Sequence, residues 1–180
     1  NAYPSFDTGR KYLAPGLFGP CGYGFPAIIG AKIGCPDTPV VGFAGDGAFG
    51  ISMNEMTSCG RPPWPPITMV IFRNFQWGAE KRNTTLWFDD NFVGTELDPE
   101  VSFAGIADAC GLKGVRVSAM NALSEALQNA IDAQMEREQT TFIEVILNQE
   151  LGEPFRRDAM RRPEEVAGIA ARDMCSQSVN

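Results

Sequence analysis

The fold of this chain is set by residues 40–78, which read VVGFAGDGAFGISMNEMTSCGRPPWPPITMVIFRNFQWG. Two apolar runs in this stretch, Val40–Ala44 and Ile67–Phe72, have the length and composition of buried strands. The first run leads into a GDG triplet centred on Asp46, and the second leads to Asn74. Because groups at the carboxyl ends of adjacent parallel strands converge on one crevice, we expect Asp46 and Asn74 to face the same site.

The chemistry of these strand ends favours a hard cation beside a phosphate group. A carboxylate, a side-chain amide and backbone carbonyls are oxygen ligands of the kind that Mg²⁺ prefers. Gly45 and Gly47 leave the backbone around Asp46 open to a ligand. We expect a helix over Ala48–Cys59, whose first N–H groups would point at a diphosphate.

The remainder of the chain alternates helical and strand patterns. We predict helices and strands in the order helix Phe25–Ile33, the two strands above, helix Val101–Cys110, strand Gly114–Val117, helix Ala122–Glu138 and strand Thr141–Leu147. This alternation predicts an α/β fold: a doubly wound parallel sheet with helices on both faces. The last strand is expected to close the sheet.

Three segments lie outside this regular pattern. The Pro-rich residues 60–66 predict a rigid linker, and residues 75–98 predict a long functional loop over the site. Residues 1–148 are expected to form one domain, and the polar residues 149–180 a tail packed on a neighbouring domain or subunit. The chain does not begin with methionine, so we expect a processed chain or part of a longer protein.

Composition narrows the possible functions. The 180 residues carry a net charge of −7, which disfavours nucleic-acid and anionic-membrane partners. The sequence has no membrane-spanning run and no signal-peptide core, so a cytoplasmic protein is expected. The absence of histidine excludes a Ser-His-Asp apparatus and His-ligated metals within these residues. Five scattered cysteines form no CxxC pair and indicate neither a disulfide framework nor a zinc site.

The GDG triplet, the asparagine 28 positions after its aspartate and the segment GYGFPAIIGA at residues 22–31 together resemble the thiamine diphosphate (ThDP) enzymes. The resemblance implies that Asp46, Asn74 and the backbone carbonyl of Gln76 hold Mg²⁺, and that the backbone at Gly19 and Cys21 meets the pyrimidine ring. The full set of cofactor-binding residues that it implies is Gly19, Cys21, Gly22, Gly45, Asp46, Gly47, Ala48, Asn74, Gln76, Trp77 and Gly78.

Within these enzymes the closest likeness is to acyltransferases related to acetolactate synthase. It is carried by residues 11–26, 42–61, 73–98 and 150–160, and it covers the C-terminal third of such a protein. It implies that sulfoacetaldehyde and phosphate are converted into acetyl phosphate and sulfite. Lys81, Arg82, Arg156 and Arg157 are the candidate ligands of the two substrate anions, because Arg presents a bidentate fork to sulfonate or phosphate.

The same resemblance implies that this chain alone is an incomplete enzyme. The glutamate that activates the cofactor is expected in a pyrimidine-binding domain, in the same longer chain or in a partner subunit, and a homodimer or homotetramer is expected. Glu55 is rejected as a substitute because it follows the GDG turn, beside the diphosphate end.

Three other interpretations stay open. The chain is also compatible with another ThDP enzyme, such as a sulfopyruvate or phosphonopyruvate decarboxylase or an acetolactate synthase. A non-catalytic module of the same fold is disfavoured by the intact Asp46 and Asn74. A Rossmann domain is disfavoured because Gly19, Gly22 and Gly24 follow the order G-x-x-G-x-G and not G-x-G-x-x-G.

Overall fold

The computed structural model describes residues 6, 9 and 11–151, together with the backbone of residues 165–166 and 169–170. Its main sheet has four parallel strands in the spatial order β1-β2-β4-β3. The strands are β1 (Val41–Gly45), β2 (Thr68–Arg73), β3 (Lys113–Val117) and β4 (Thr141–Ile146). The predicted parallel α/β sheet is therefore confirmed, with strand boundaries within about one residue of those expected.

The helices alternate with these strands along the chain. They are α1 (Gly24–Gly34), α2 (Asp46–Gly50), α3 (Met56–Cys59), α4 (Gly78–Trp87), α5 (Phe103–Ala109) and α6 (Met120–Glu136), with a 3-10 turn at Met53–Glu55. The predicted helices at residues 25–33, 101–110 and 122–138 correspond to α1, α5 and α6.

Apolar clusters on the two faces of the sheet confirm the doubly wound arrangement. On one face, residues from α1, α2, α3 and α5 pack on β2 and β4, and the buried members include Phe25, Phe49, Met69 and Phe142. On the other face, α6 packs through Ala130 and its neighbours on Val70, Val117, Ile143 and Val145. Alternate residues of each strand therefore serve opposite cores, as expected for a parallel sheet covered on both sides.

Gly114 shows how closely α5 approaches the sheet. A Cβ atom at this position of β3 would lie 2.1 Å from the carbonyl oxygen of Ala104, a distance that no packing adjustment of a side chain relieves. Glycine at position 114 therefore permits the backbone of α5 to lie directly against β3.

Three sequence-based expectations about the fold are wrong in detail. The helix expected over residues 48–59 is divided into α2, the 3-10 turn and α3, because Ser52 has non-helical angles (φ −121°, ψ 14°) and its hydroxyl donates to the Gly22 carbonyl. The long loop expected at residues 75–98 contains the helix α4. The last strand, β4, does not close an edge of the sheet but lies between β2 and β3.

The chain divides into two compact units. One comprises residues 1–76 and 97–149 and contains the parallel sheet; the other comprises residues 77–96 and 150–180. In the second unit, the strands Glu165–Val166 and Ile169–Ala170 pair antiparallel. The boundary expected at residue 148 stays a prediction, because the tail lies outside the described residues apart from residues 149–151 and these two strands. Among the helices of the described part, none combines the length and the apolar character needed to cross a membrane.

The cysteines on this framework differ in their chemical reactivity. Cys21 and Cys35 are exposed, whereas Cys59 at the end of α3 is partly buried. Burial, reinforced by the negative charge of Glu55, raises the pKa of the Cys59 thiol from 9.0 to about 11. Since the thiolate is the reactive form, Cys59 has roughly a hundredfold less of it than an ordinary thiol near pH 8.

We predict that iodoacetamide at pH 8 alkylates Cys21 and Cys35 well before Cys59, because the first two are exposed whereas burial shields Cys59 and raises the pKa of its thiol. Peptide mass spectrometry after timed quenching measures the three rates. In urea the rates should converge, since unfolding removes the burial. Native labelling of Cys59 as fast as that of Cys35 would contradict the assignment.

Candidate cofactor and metal site

Asp46 lies at the centre of the candidate site and is held by three donors. It follows β1 directly, is 2% exposed, and sits beside the end of β2, where Gly45 pairs with Phe72. Its Oδ1 accepts the N–H of Gly47 at 2.9 Å, and its Oδ2 accepts the N–H of Phe75 at 2.7 Å. The Arg73 guanidinium donates to the same Oδ2 at 3.1 Å. The carboxylate orientation is therefore fixed before any ligand binds.

Asp46, Asn74 and Gln76 come together at the ends of β1 and β2. One terminal atom of the Asn74 side-chain amide lies 3.2 Å from Asp46 Oδ1 and 3.0 Å from the carbonyl oxygen of Gln76. Adjacent ligands of an octahedral Mg²⁺ with bonds of about 2.0–2.1 Å are separated by about 3 Å. The structure thus brings the three predicted residues together, and their role as ligands of a shared divalent cation stays a prediction.

The orientation of the Asn74 amide decides which group satisfies these oxygens. With its nitrogen towards Asp46, the amide donates to Asp46 Oδ1 and to the Gln76 carbonyl, so both acceptors are satisfied without a ligand. With its oxygen towards Asp46, three acceptors face one another, and a bound cation would offset their repulsion. The described residues contain no group of three His, Cys, Asp or Glu side chains suited to a metal. This trio has one carboxylate, which matches a hard cation that also takes oxygens from a phosphate ligand.

The backbone at Phe75 creates the turn on which this geometry depends. Phe75 has φ of +60°, in the left-handed region that a bulky residue seldom occupies. Its N–H donates to Asp46 and its carbonyl accepts the N–H of Leu97 at 2.9 Å. Next to it, the side-chain amide of Gln76 donates to the carbonyl of Gln149 at 2.8 Å, beyond the end of β4. These contacts stabilise a strained turn at the point where ligands converge, as functional sites often do.

Arg73 and Glu144 are the residues of this site that the sequence analysis did not assign. Each is 1% exposed, and the Arg73 Nε lies 3.6 Å from Glu144 Oε1. The guanidinium also donates to the carbonyls of Asp98 and Val101, and it lies over the rings of Phe75 (4.5 Å) and Phe103 (5.1 Å). The detectable signal was Glu144 itself, an acidic residue within the apolar run TFIEVIL, since a buried charge requires a partner.

Aromatic packing anchors the turn that carries Asp46. Phe49, three residues further along α2, is fully buried and contacts the rings of Phe25, Phe103 and Phe142 at centroid distances of 5.2, 5.1 and 5.9 Å. Such tilted and edge-to-face pairs are the favourable geometries for aromatic rings. The Asp46 carboxylate is thus attached to the rigid centre of the core, although α2 has only five residues.

The glycine-rich segment before α1 is largely exposed. Gly22 has φ of +87°, and a Cβ atom there would lie 2.9 Å from Ile51 Cγ2, so residue 22 requires glycine. Gly19 and Cys21 are exposed, and a Cβ atom on Gly19 or on Gly45 would meet no neighbouring atom within 4 Å. The predicted backbone contacts to a cofactor therefore remain sterically open at these positions.

The other predicted residues divide between the two compact units. Gly47 is buried and Ala48 half-buried within α2, beside Asp46. Trp77 and Gly78 lie in the second unit, where the Trp77 N–H donates to the carbonyl of Thr95 at 2.8 Å and Gly78 begins α4. Their predicted role in binding the cofactor stays a prediction.

The structure describes only two of the four basic side chains that are candidates for binding the substrate anions. Lys81 in α4 forms an ion pair with Glu96, and its ammonium lies 5.2 Å from the centre of the Phe92 ring. Arg82 is half-buried in the same helix. Arg156 and Arg157 lie outside the described residues. A pairing with Glu96 weakens Lys81 as a candidate, because its charge is already partly neutralised.

The parallel sheet, with Asp46, Asn74 and Gln76 together at its strand ends, is consistent with one class of enzyme. Residues 1–145 match the family described as "Thiamine pyrophosphate enzyme, C-terminal TPP binding domain", thiamine pyrophosphate being another name for ThDP. The chain belongs to this family. A ThDP-dependent 4-hydroxybenzoylformate decarboxylase from Rhodococcus jostii RHA1 has a similar fold, with a TM-score of 0.61 and 25% identity over 73% of this chain and 24% of the other.

Comparison with individual proteins shows which members of the family the chain resembles. The chain is 74% identical over 98% of its length to a probable sulfoacetaldehyde acetyltransferase of Rhizobium meliloti (strain 1021). It is 69% identical over its full length to a sulfoacetaldehyde acetyltransferase of Roseovarius nubinhibens. A probable acetolactate synthase large subunit of Methanococcus aeolicus is 30% identical over 72% of the chain. The chain spans 30% of the length of each of the first two relatives.

We predict that Asp46→Asn, made in the full-length protein, weakens Mg²⁺-dependent ThDP binding by about tenfold to a hundredfold, because it removes the only carboxylate of the trio. Isothermal titration with ThDP at fixed Mg²⁺ measures the effect.

Asp37→Asn is the matched control, since Asp37 is exposed and the variant undergoes the same change of charge. Thermal melting of both variants separates a loss of binding from a loss of folding, because Asp46 also pairs with the buried Arg73. Unchanged affinity in a folded Asp46→Asn protein would refute the metal assignment.

Proposed function

We propose that this chain is the diphosphate- and Mg²⁺-binding part of a ThDP-dependent acetyltransferase that converts sulfoacetaldehyde and phosphate into acetyl phosphate and sulfite. The observation that carries the proposal is the proximity of Asp46 Oδ1, the Asn74 amide and the Gln76 carbonyl, whose separations of 3.2 and 3.0 Å from one terminal atom of that amide match the spacing of neighbouring Mg²⁺ ligands. The substrates are inferred from the names of relatives that are 69–74% identical over nearly the whole chain.

In this proposal the residues at the carboxyl ends of β1 and β2 hold the cofactor in place. Asp46, Asn74 and the Gln76 carbonyl bind Mg²⁺, which neutralises the diphosphate, and the backbone of Gly45, Gly47 and Ala48 lies beside it. Bound ThDP supplies the carbanion chemistry that no side chain provides. The fixed carboxylate and the strained turn at Phe75 then limit how the diphosphate end is oriented.

The remaining parts of the active site are proposed to come from elsewhere in the protein. A pyrimidine-binding domain, in the same longer chain or in a partner subunit of a cytoplasmic homodimer or homotetramer, would supply the activating glutamate. Leu17 and Phe18 support this idea, because they are almost fully exposed and immediately precede Gly19. Exposed apolar side chains next to a proposed cofactor contact suit a surface that another domain covers.

The direct test is a product assay with the full-length protein, ThDP, Mg²⁺, sulfoacetaldehyde and phosphate. We expect sulfite and acetyl phosphate in equal amounts, with neither formed when phosphate or ThDP is omitted. Sulfopyruvate, phosphonopyruvate and pyruvate are tested in parallel. Carbon dioxide from one of these acids, without sulfite from sulfoacetaldehyde, would overturn the proposal in favour of a decarboxylase or an acetolactate synthase.

The phosphate acceptor is proposed to be bound by Arg156 or Arg157. Both follow Pro154 and Phe155 in the sequence, shortly after β4. The carboxyl end of β4 lies on the same side of the parallel sheet as the carboxyl ends of β1 and β2, which carry the proposed site. A charge-assisted contact from an arginine to phosphate contributes about 1.5–3 kcal/mol. Lys81 and Arg82 are the alternative ligands, although Lys81 already pairs with Glu96.

We predict that Arg156→Ala or Arg157→Ala raises the apparent KM for phosphate by about tenfold or more, with a smaller change for sulfoacetaldehyde. Initial rates at varied phosphate measure this difference. Arg161→Ala and Arg162→Ala are matched controls from the second arginine pair of the tail. If both test variants keep the parental phosphate dependence, the phosphate site is to be sought at Lys81 and Arg82.

A further inference from the structure

A buried chain of three charges connects the proposed metal site to the centre of the sheet. Asp46 follows β1, Arg73 ends β2 and Glu144 lies in β4, so the three side chains come from three neighbouring strands. All three are at most 2% exposed. We propose that Glu144 is a positioning residue of the metal site: it compensates the charge of Arg73, so that Asp46 keeps a net negative charge for the cation. The inference rests on the metal site of the proposed function.

The charge balance of this trio is the first part of the argument. Two carboxylates and one guanidinium leave one net negative charge in a region with almost no contact with solvent. Without Glu144, the charge of Arg73 would cancel that of Asp46, and the cation would meet a neutral pair. Charges interact strongly in such an environment, because little water screens them.

The geometry indicates that Glu144 acts on Arg73 through its charge. The distance of 3.6 Å between Arg73 Nε and Glu144 Oε1 exceeds hydrogen-bond length, and neither atom has a hydrogen-bond partner within the described part of the chain. The other oxygen, Oε2, has a separate structural role. It accepts the Ser102 hydroxyl at 3.0 Å and the Ala104 N–H at 3.3 Å, at the beginning of α5.

Arg73 in turn helps to hold the carboxylate, together with the N–H groups of Gly47 and Phe75. It contacts Asp46 Oδ2, whereas the oxygen that faces Asn74 is Oδ1. Arg73 therefore fixes the outer side of the carboxylate and leaves the inner side for the cation. An arginine in this position orients the ligand but weakens its attraction for a metal, unless a second anion offsets the positive charge.

These separate roles make Glu144→Gln an informative variant. The amide oxygen of glutamine retains an acceptor for Ser102 and Ala104, so α5 keeps its contacts while the negative charge is lost. Mn²⁺ replaces Mg²⁺ as the probe, and free Mn²⁺ is measured by electron paramagnetic resonance in full-length protein with a fixed excess of ThDP. We expect Glu144→Gln to weaken Mn²⁺ binding by about tenfold, because the uncompensated Arg73 repels the cation.

The double variant Arg73→Met/Glu144→Gln tests whether charge is the cause. It restores one net negative charge, and the apolar methionine side chain has the rings of Phe75 and Phe103 to pack against. We expect its Mn²⁺ affinity to return to within about threefold of the wild type, although the contact between Arg73 and Asp46 is lost. Glu125→Gln, on the exposed surface of α6, is the matched control and should bind Mn²⁺ as the wild type does.

The outcomes separate this inference from the proposed function. If the wild type binds no Mn²⁺, the proposed metal site is wrong. If the wild type binds Mn²⁺ and a folded Glu144→Gln binds it equally well, the inference is overturned and the metal site stands. If Glu144→Gln does not fold, the double variant alone decides: affinity near that of the wild type supports charge compensation, and lost affinity in a folded double variant overturns it.

Discussion

The structure depends on a buried carboxylate whose oxygens need hydrogen-bond donors. Asp46 is 2% exposed, and a carboxylate in such a place is tolerated only with donors on its oxygens. The N–H groups of Gly47 and Phe75 and the guanidinium of Arg73 provide them. Removing one partner of a buried ion pair typically costs about 3–5 kcal/mol, so the segments that carry these donors cannot move independently.

Several features that look unrelated follow from this requirement. The chain after β2 must return an N–H to Asp46, and the left-handed backbone of Phe75 achieves this within one residue of Asn74. Arg73 must be buried as well, and its Nη2 donates to the carbonyls of Asp98 and Val101 in the chain that leads into α5, while its Nε faces Glu144 at 3.6 Å. The same arginine lies over Phe103, whose ring belongs to the aromatic core around Phe49. The polar site and the apolar core are thus one packed structure.

The sequence predicts much of this arrangement, because strand ends are marked by changes in residue type. The apolar run before GDG and the run before Asn74 are short and strongly patterned, so β1, β2 and the convergence of their polar ends are predictable. The strand order is not, since nothing in the linear order says that β4 enters between β2 and β3. The division of the helix after GDG also depends on a distant contact, from the Ser52 hydroxyl to the Gly22 carbonyl. The helix α4 escapes prediction because it lacks an apolar stripe and buries no residue fully.

The residues that sequence analysis missed show a general limit of motif reasoning. A motif identifies the candidate ligand-binding groups, here Asp46 and Asn74, because their type and spacing suit the chemistry of a ligand. It does not identify the groups that hold them, since Arg73 at a strand end is indistinguishable from a surface arginine until the sheet is assembled. Glu144 differs, because its place within an apolar strand already implies a buried partner of opposite charge. The partner is Arg73, the residue next to Asn74, so this one buried acid links the core of the sheet to the candidate site at the strand ends. A search of other sequences for acidic residues inside apolar strands should therefore find supporting residues that ligand motifs leave out.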